Sequence, residues 1–202
     1  GECHDRDGIH RTSGRLFKIC HGNTPPAERI DLNERTDREL VALLWHENVW
    51  WQRHALRILQ ERIAAGRKLG PGILAELDRR AEDSVVAVQL IASVARDSLR
   101  KIFVRSESEA VRAQIVHLMF QENAPASADV TWLADRVAKE PSALVQIHMA
   151  SALQRIGVES RWELAGALTK LKVASEDRNL ALMIWYGFEP LVAADGKRAL
   201  GI

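Results

Sequence analysis

The sequence predicts an all-α fold, a superhelix (solenoid) of stacked helix pairs behind a short N-terminal strand-and-loop segment. Three observations lead there. From about residue 36 the apolar residues recur at helical spacing, clusters of breakers cut that pattern into short helices, and the helices fall into about five pairs. Composition agrees: 202 residues, 47% hydrophobic and 27% charged, are ordinary for a globular chain. A chain of this size buries roughly 70% of its unfolded surface.

Residues 1–30 stand apart, rich in Gly, His, Arg and Asp. Ser13-Gly14 is a turn signal, and Arg15-Leu16-Phe17-Lys18-Ile19-Cys20 after it reads as a strand. Gly22-Asn23-Thr24-Pro25-Pro26 then reads as a linker, because two prolines stop a helix or a ladder.

Residues 31–202 form the helical domain. Thr36-Asp37-Arg38-Glu39 is a capping box, in which hydroxyl and carboxylate satisfy orphan amides reciprocally. Leu40, Leu43 and Leu44 follow on one face. Asn48 can cap a second helix that carries Ala55, Leu56, Leu59 and Ile63. Gly66, Gly70, Pro71 and Gly72 break the pattern. The unit then recurs as segments 73–80 with 84–95, 98–104 with 109–120, 130–139 with 143–156, and 161–171 with 180–192. Three of the second helices share a small or apolar residue close to Arg or Gln, as in Gln52-Arg53-His54-Ala55-Leu56, Val111-Arg112-Ala113 and Val145-Gln146-Ile147, with Arg53, Arg112 and Gln146 as the recurring positions. The intervals lie in the range of HEAT-like repeats, whose pairs bury their apolar faces only by stacking.

The helix at 180–192 is apolar nearly all round, so it is expected to be the most buried element, with Trp185 inside and a bend near Pro190. Residues 196–202 open a further unit without a second helix. An uncapped stack leaves an adhesive face, here expected at Leu182, Ile184, Phe188 and Leu191. Trp50 and Trp51 form a second candidate interaction surface. Core packing between repeats is the expectation for most of the six tryptophans.

Charge excludes little but points one way. Twenty-eight Lys and Arg against 27 Asp and Glu leave a net charge of +1, without the basic excess of a dedicated nucleic-acid binder. The basic run Arg53, Arg57, Arg62, Arg67 and Lys68 is interleaved with acids and reads as a salt-bridged face. No apolar run approaches the ~20 residues of a membrane span, and the polar first residues do not read as a signal peptide. Cys20-His21 looks like half of a CxxCH haem site, but Phe17 stands where the first thiol belongs. His4, Asp5, Asp7, His10 and His21 have metal-ligand chemistry without metal-ligand spacing, and Cys3 and Cys20 offer no disulfide framework. His117 and His148 sit among apolar residues as core or rim histidines. No nucleophile, phosphate-loop or dinucleotide motif is present, so no catalytic residue, cofactor or metal is assigned.

The chain resembles an internal piece of the PVC-type haem-binding CxxCH proteins, also described as membrane-bound dehydrogenases. Cys3-His4 and residues 11–19 resemble the closing segment of that family's β-propeller. Asp31-Leu32, residues 40–44 and residues 53–62 resemble the helix pair that follows it. The most specific blocks are residues 151–155, Arg161-Trp162 and residues 179–192. The resemblance implies a remnant of the propeller in residues 1–30 and a HEAT-repeat region in residues 31–202. It further implies an exported, periplasmic or cell-envelope parent, with a sugar dehydrogenase-like propeller before this region and a cytochrome c-like domain after it.

The expected function is therefore a non-catalytic scaffold or connector, whose partners are those adjacent propeller and cytochrome domains. An independent HEAT module for protein–protein interaction is the first alternative. A HEAT-like nucleic-acid-binding enzyme is the second, which salt-dependent binding to duplex DNA would favour.

Overall fold

The computed structural model describes residues 17, 19, 21–23, 25, 29–121, 125–172 and 177–202. It divides into two compact units, Gly1–Asp31 and Leu32–Ile202. In the first unit Phe17 and Ile19 have no regular structure and are 81% and 98% exposed. The rest of the expected strand at 15–20 lies outside the described residues, apart from these two. Cys3, His4, Asp5, Asp7, His10 and Cys20 also lie outside them. Gly22, with φ +64°, makes the bend for which the linker calls.

The second unit is all-α, with no strand among the described residues. Thr36 and Glu39 close the capping box over α1 (Asp37–Ala42), which a 3-10 turn, Leu43–Trp45, extends. Asn48 caps α2 (Val49–Ala64) by accepting from the Trp50 amide. Gly66, at φ +89°, ends α2 in a Schellman motif: its amide donates to the Ile63 carbonyl and that of Arg67 to Arg62. Pro71 opens α3 (Pro71–Arg80) in the first turn, where an amide hydrogen would have no intrahelical acceptor. Then follow α4 (Val85–Val94), α5 (Leu99–Arg105), α6 (Glu109–Met119), α7 (Ser127–Val137), α8 (Ala143–Ala152), α9 (Trp162–Leu168), α10 (Arg178–Ala194) and α11 (Gly196–Ala199).

The pairs stack in two layers, as a solenoid-like repeat does. The second helices form one row, with α2 on α4, α4 on α6, α6 on α8 and α8 on α10. In the other layer α1 packs on α3 and α7 on α9, while Arg105 to Asp78 ties α5 to α3 and Arg100 to Asp129 ties α5 to α7. Every second helix starts on a side-chain oxygen: Asn48, Ser84, Ser108, Ser142 or Asp177. Counted from that cap, the seventh residue is Ala55, Ile91, Ile115, Met149 or Ile184, and all five are buried. These residues line the shared core.

The recurring Gln or Arg has a physical reason. Gln52, Arg112 and Gln146 each stand four residues after a cap, and each donates to the carbonyl six residues earlier, those of His46, Ser106 and Glu140. The side chain thus fastens the loop that enters its own helix. Val88 holds this place in α4 and cannot donate; there the matching Glu82 carbonyl accepts from Ser106 Oγ of the next repeat at 2.6 Å.

The expectation for α10 needs correction. The helix is longer than 180–192 and runs through Pro190 to Ala194. It is not the most buried element. Leu180, Ile184, Gly187 and Leu191 form one buried stripe, whereas Trp185 is 48% exposed. α6 buries six of its eleven residues. Pro190 is tolerated because Tyr186, whose carbonyl its missing amide would have reached, lies on the exposed face.

Candidate functional site

The end face of α10 follows from repeat register. Eight residues after each cap stand Leu56, Ala92, Val116, Ala150 and Trp185; eleven after stand Leu59, Ala95, Met119, Leu153 and Phe188. In α2, α6 and α8 these positions are buried beneath the neighbouring helices. In α10 they are Trp185, exposed, and Phe188, half-buried, with ring centroids 6.5 Å apart. Leu182, Tyr186 and Val192 are exposed beside them. Of the residues expected on this face, Leu182 and Phe188 therefore belong to it. Ile184 (8% exposed) and Leu191 (0%) do not: they sit in the inward stripe against the preceding repeat. Trp185, Tyr186 and Val192 take their place.

Trp50 and Trp51 start α2 in an aromatic cluster. Trp50, exposed, lies over His54 with centroids 4.2 Å apart and meets Trp51 edge-on at 5.1 Å. Trp51 is half-buried and packs against the core, and with Arg35, Glu39, Leu43 and His46 it borders a cavity of about 230 Å³. His46 Nδ1 accepts from the Asn48 amide, and Glu39 accepts from the Thr36 amide and hydroxyl. Those bonds, the amide's first, hold the Glu39 carboxyl below its ordinary range. The polar groups at this cavity thus shape the helix start. Of the other tryptophans, Trp162 is buried, while Trp45 and Trp132 are half-buried; Arg80 lies 4.0 Å above Trp45 and Arg198 4.2 Å above Trp162.

The cations noted in the sequence are largely committed. Arg62 and Arg67 both pair with Asp37, at 2.7 and 2.9 Å, Arg57 pairs with Glu61 and Arg80 with Glu76. Arg96 donates to the carbonyls of Leu118 and Met119 at the end of α6. Arg112 makes two bonds to Glu140, at 2.9 and 2.8 Å, and Glu140 also accepts from the Ser142 amide. Buried Arg161 donates to Ile156 and Gly187 carbonyls, and burial pushes its pKa down. Arg62, Arg67, Arg96, Arg112 and Arg161 thus hold separate segments together, whereas the exposed Arg57–Glu61 pair stays within one helix.

His117 on α6 and His148 on α8 face each other with centroids 6.5 Å apart. Partial burial, and secondarily the charge His117 can carry, hold His148 below the ordinary histidine value. His148 should therefore titrate by NMR below pH ~6.5, and His117→Ala should move its midpoint only part of the way back, since burial is the larger cause. The folded state binds this proton less readily than the unfolded chain, so the His148 contribution to stability is full above pH ~6.5 and falls as pH drops through the folded midpoint. A midpoint at or above the ordinary value contradicts this assignment.

The groove beside this pair escapes sequence reasoning. Gln60, Gln89, Gln114 and Gln121 converge with Ser93 and His117 on a cavity of about 510 Å³ across α2, α4 and α6. No motif marks them, and they fall at different distances from their helix caps, so no repeat register marks them either. Among the described residues there is no group of three His, Cys, Asp or Glu that could hold a metal, and no helix is long and apolar enough to cross a membrane. No family model, curated protein or solved structure matches the chain.

Proposed function

We propose that this chain is a non-catalytic scaffold of HEAT type, connecting the propeller and cytochrome c-like modules of a larger exported redox protein. The observation that carries the reading is the face of α10. Its eighth and eleventh residues after the cap, Trp185 and Phe188, occupy positions that α2, α6 and α8 use for stacking. The row α2–α4–α6–α8–α10 is thus continuous with an uncovered apolar surface. Its occupant is the module that follows in the parent protein, and the family resemblance supplies that module's character. A surface of this kind is what a domain interface needs, whereas polar terminal caps suit a free-standing repeat.

The double variant Leu182→Ser/Trp185→Ser tests the face. The wild-type chain should bind a hydrophobic dye and self-associate at high concentration, and the variant should do neither. Because Leu182 and Trp185 are 43% and 48% exposed, the variant should lose about 1 kcal/mol of stability or less, well under the cost of emptying a core site. A wild-type chain that stays monomeric and binds no dye overturns the reading of this face.

A further inference from the structure

A cavity of about 440 Å³ lies where α5, the loop into α6 and the end of α7 meet. Its lining is of two kinds. Phe103 and Val104 of α5 and Pro141 before α8 are apolar, and Val104 is 59% exposed. The charged part sets Arg112, Arg136 and Lys139 against Glu107 and Glu140. Arg112 and Glu140 are committed to each other, which leaves Arg136 and Lys139 with one acid, Glu107.

Arg136 is the exception among its kind. Every other buried or half-buried arginine among the described residues bonds to a carboxylate or a carbonyl. Arg136 is half-buried, and its Nε is closed off from water without a hydrogen-bond partner. Among the described residues no carboxylate pairs with its guanidinium, which has the Trp132 ring beside it, 5.7 Å from the centroid. A cation at the end of α7 suits the helix dipole, but the dipole does not require a guanidinium to shed water. Withdrawing a charge from water without a countercharge is costly. An anion on the outer guanidinium nitrogens offsets that cost.

The lining also selects the anion. Arg136 and Lys139 less Glu107 leave one positive charge, the match of a monoanion. A phosphate dianion or a nucleic acid would set further negative charge against Glu107. The planar guanidinium fork fits a carboxylate, and the apolar residues suit a hydrocarbon body. A volume of about 440 Å³ falls within the roughly 300–1,000 Å³ of small-molecule pockets.

We propose that this cavity binds a carboxylate carried on an apolar body, the charge on Arg136 and Lys139 and the body against Phe103, Val104 and Pro141. A free organic acid and the C-terminus of an apolar peptide share this chemistry. The inference goes beyond the scaffold reading and does not depend on the α10 face.

The probes are 4-phenylbutyrate, its neutral amide, phenyl phosphate, and a leucine-ending tripeptide with a free or an amidated C-terminus. Each is titrated by NMR, with the Arg136 Nε–H signal as reporter. Phenylbutyrate should bind saturably, with a Kd of about 1 mM or tighter, and its amide about tenfold more weakly or worse. A free-acid tripeptide tighter than phenylbutyrate assigns the site to a polypeptide terminus, and the reverse order to a free acid. Arg136→Met should weaken phenylbutyrate about tenfold and should fold, since its guanidinium has no paired carboxylate to lose. Val104→Glu, at an exposed position, should abolish binding, while Glu107→Gln, which removes the competing carboxylate, should tighten it. Leu182→Ser/Trp185→Ser should leave it unchanged. The proposal is overturned by absence of saturable binding, by an amide as tight as the acid, or by acid binding indifferent to Arg136→Met and Glu107→Gln. Tighter binding of phenyl phosphate than of phenylbutyrate overturns it as well.

Discussion

Arg112→Ala should destabilise the fold by about 3–5 kcal/mol, the cost of stranding one charge of a buried pair. Glu140 is 6% exposed, and its carboxylate is held by Arg112 Nε and Nη2 and by the Ser142 amide. Arg112 also holds the Ser106 carbonyl at 3.0 Å, so one guanidinium joins the loop before α6 to the loop before α8. The bonds to Glu140 raise the Arg112 pKa, so the guanidinium stays charged. Removing the arginine leaves the carboxylate buried with a single donor. Replacing both members, as Arg112→Met/Glu140→Leu, should cost far less, because well-packed apolar groups have no charge to strand. Urea midpoints read both effects. A single substitution as mild as the double one would show that Glu140 is not an isolated buried charge without its arginine.

Gly187→Ala should cost about 2–3 kcal/mol, the upper half of the usual range for overpacking a core. A Cβ at 187 would stand 2.6 Å from both Cβ and Cδ1 of Leu153, which is fully buried. The Leu153 Cβ cannot swing away as a side-chain tip can, so α10 must move off the 3-10 turn Leu153–Arg155 that ends α8. That separation also stretches the 3.1 Å bond from Arg161 to the Gly187 carbonyl. Gly157→Ala is the matched control: its φ is −59° and a Cβ there meets nothing within 4 Å. It should change stability by no more than about 1 kcal/mol, in either direction. Equal effects at the two glycines would mean that close approach of α10 to α8 is not what position 187 requires.

Much of the fold is legible in the sequence because its signals are local. Thr36 with Glu39 and Asn48 before an apolar stripe each mark a helix start within a few residues, whereas Pro71, read as a breaker, proves to be the first residue of α3. A recurring Gln or Arg is recognisable early in three second helices, although the carbonyl bonds place the equivalent residue of α2 at Gln52 and not at Arg53. The orientation of α10 is not legible in this way. Where Leu182, Ile184, Trp185, Phe188 and Leu191 are all apolar, helical periodicity has no polar face to choose by. Only the packing of α10 on α8 places Ile184 inside and leaves Trp185, at a position buried in α2, α6 and α8, outside. Contacts between repeats are hidden for another reason: Arg112 and Glu140 are 28 residues apart, and no local pattern joins them. The groove glutamines are likewise scattered along the chain from α2 to the end of α6 and come together only once those helices stack.

The central claim is that α10 ends in a stacking face made for a neighbouring module. It is tested most directly by isothermal titration of this chain with the separately produced module encoded next in its reading frame. Saturable binding with a negative heat-capacity change is expected, the mark of buried apolar surface, and Leu182→Ser/Trp185→Ser should abolish it while leaving the fold intact. Absence of binding, binding unchanged in that variant, or a reading frame that encodes no such module would contradict the account.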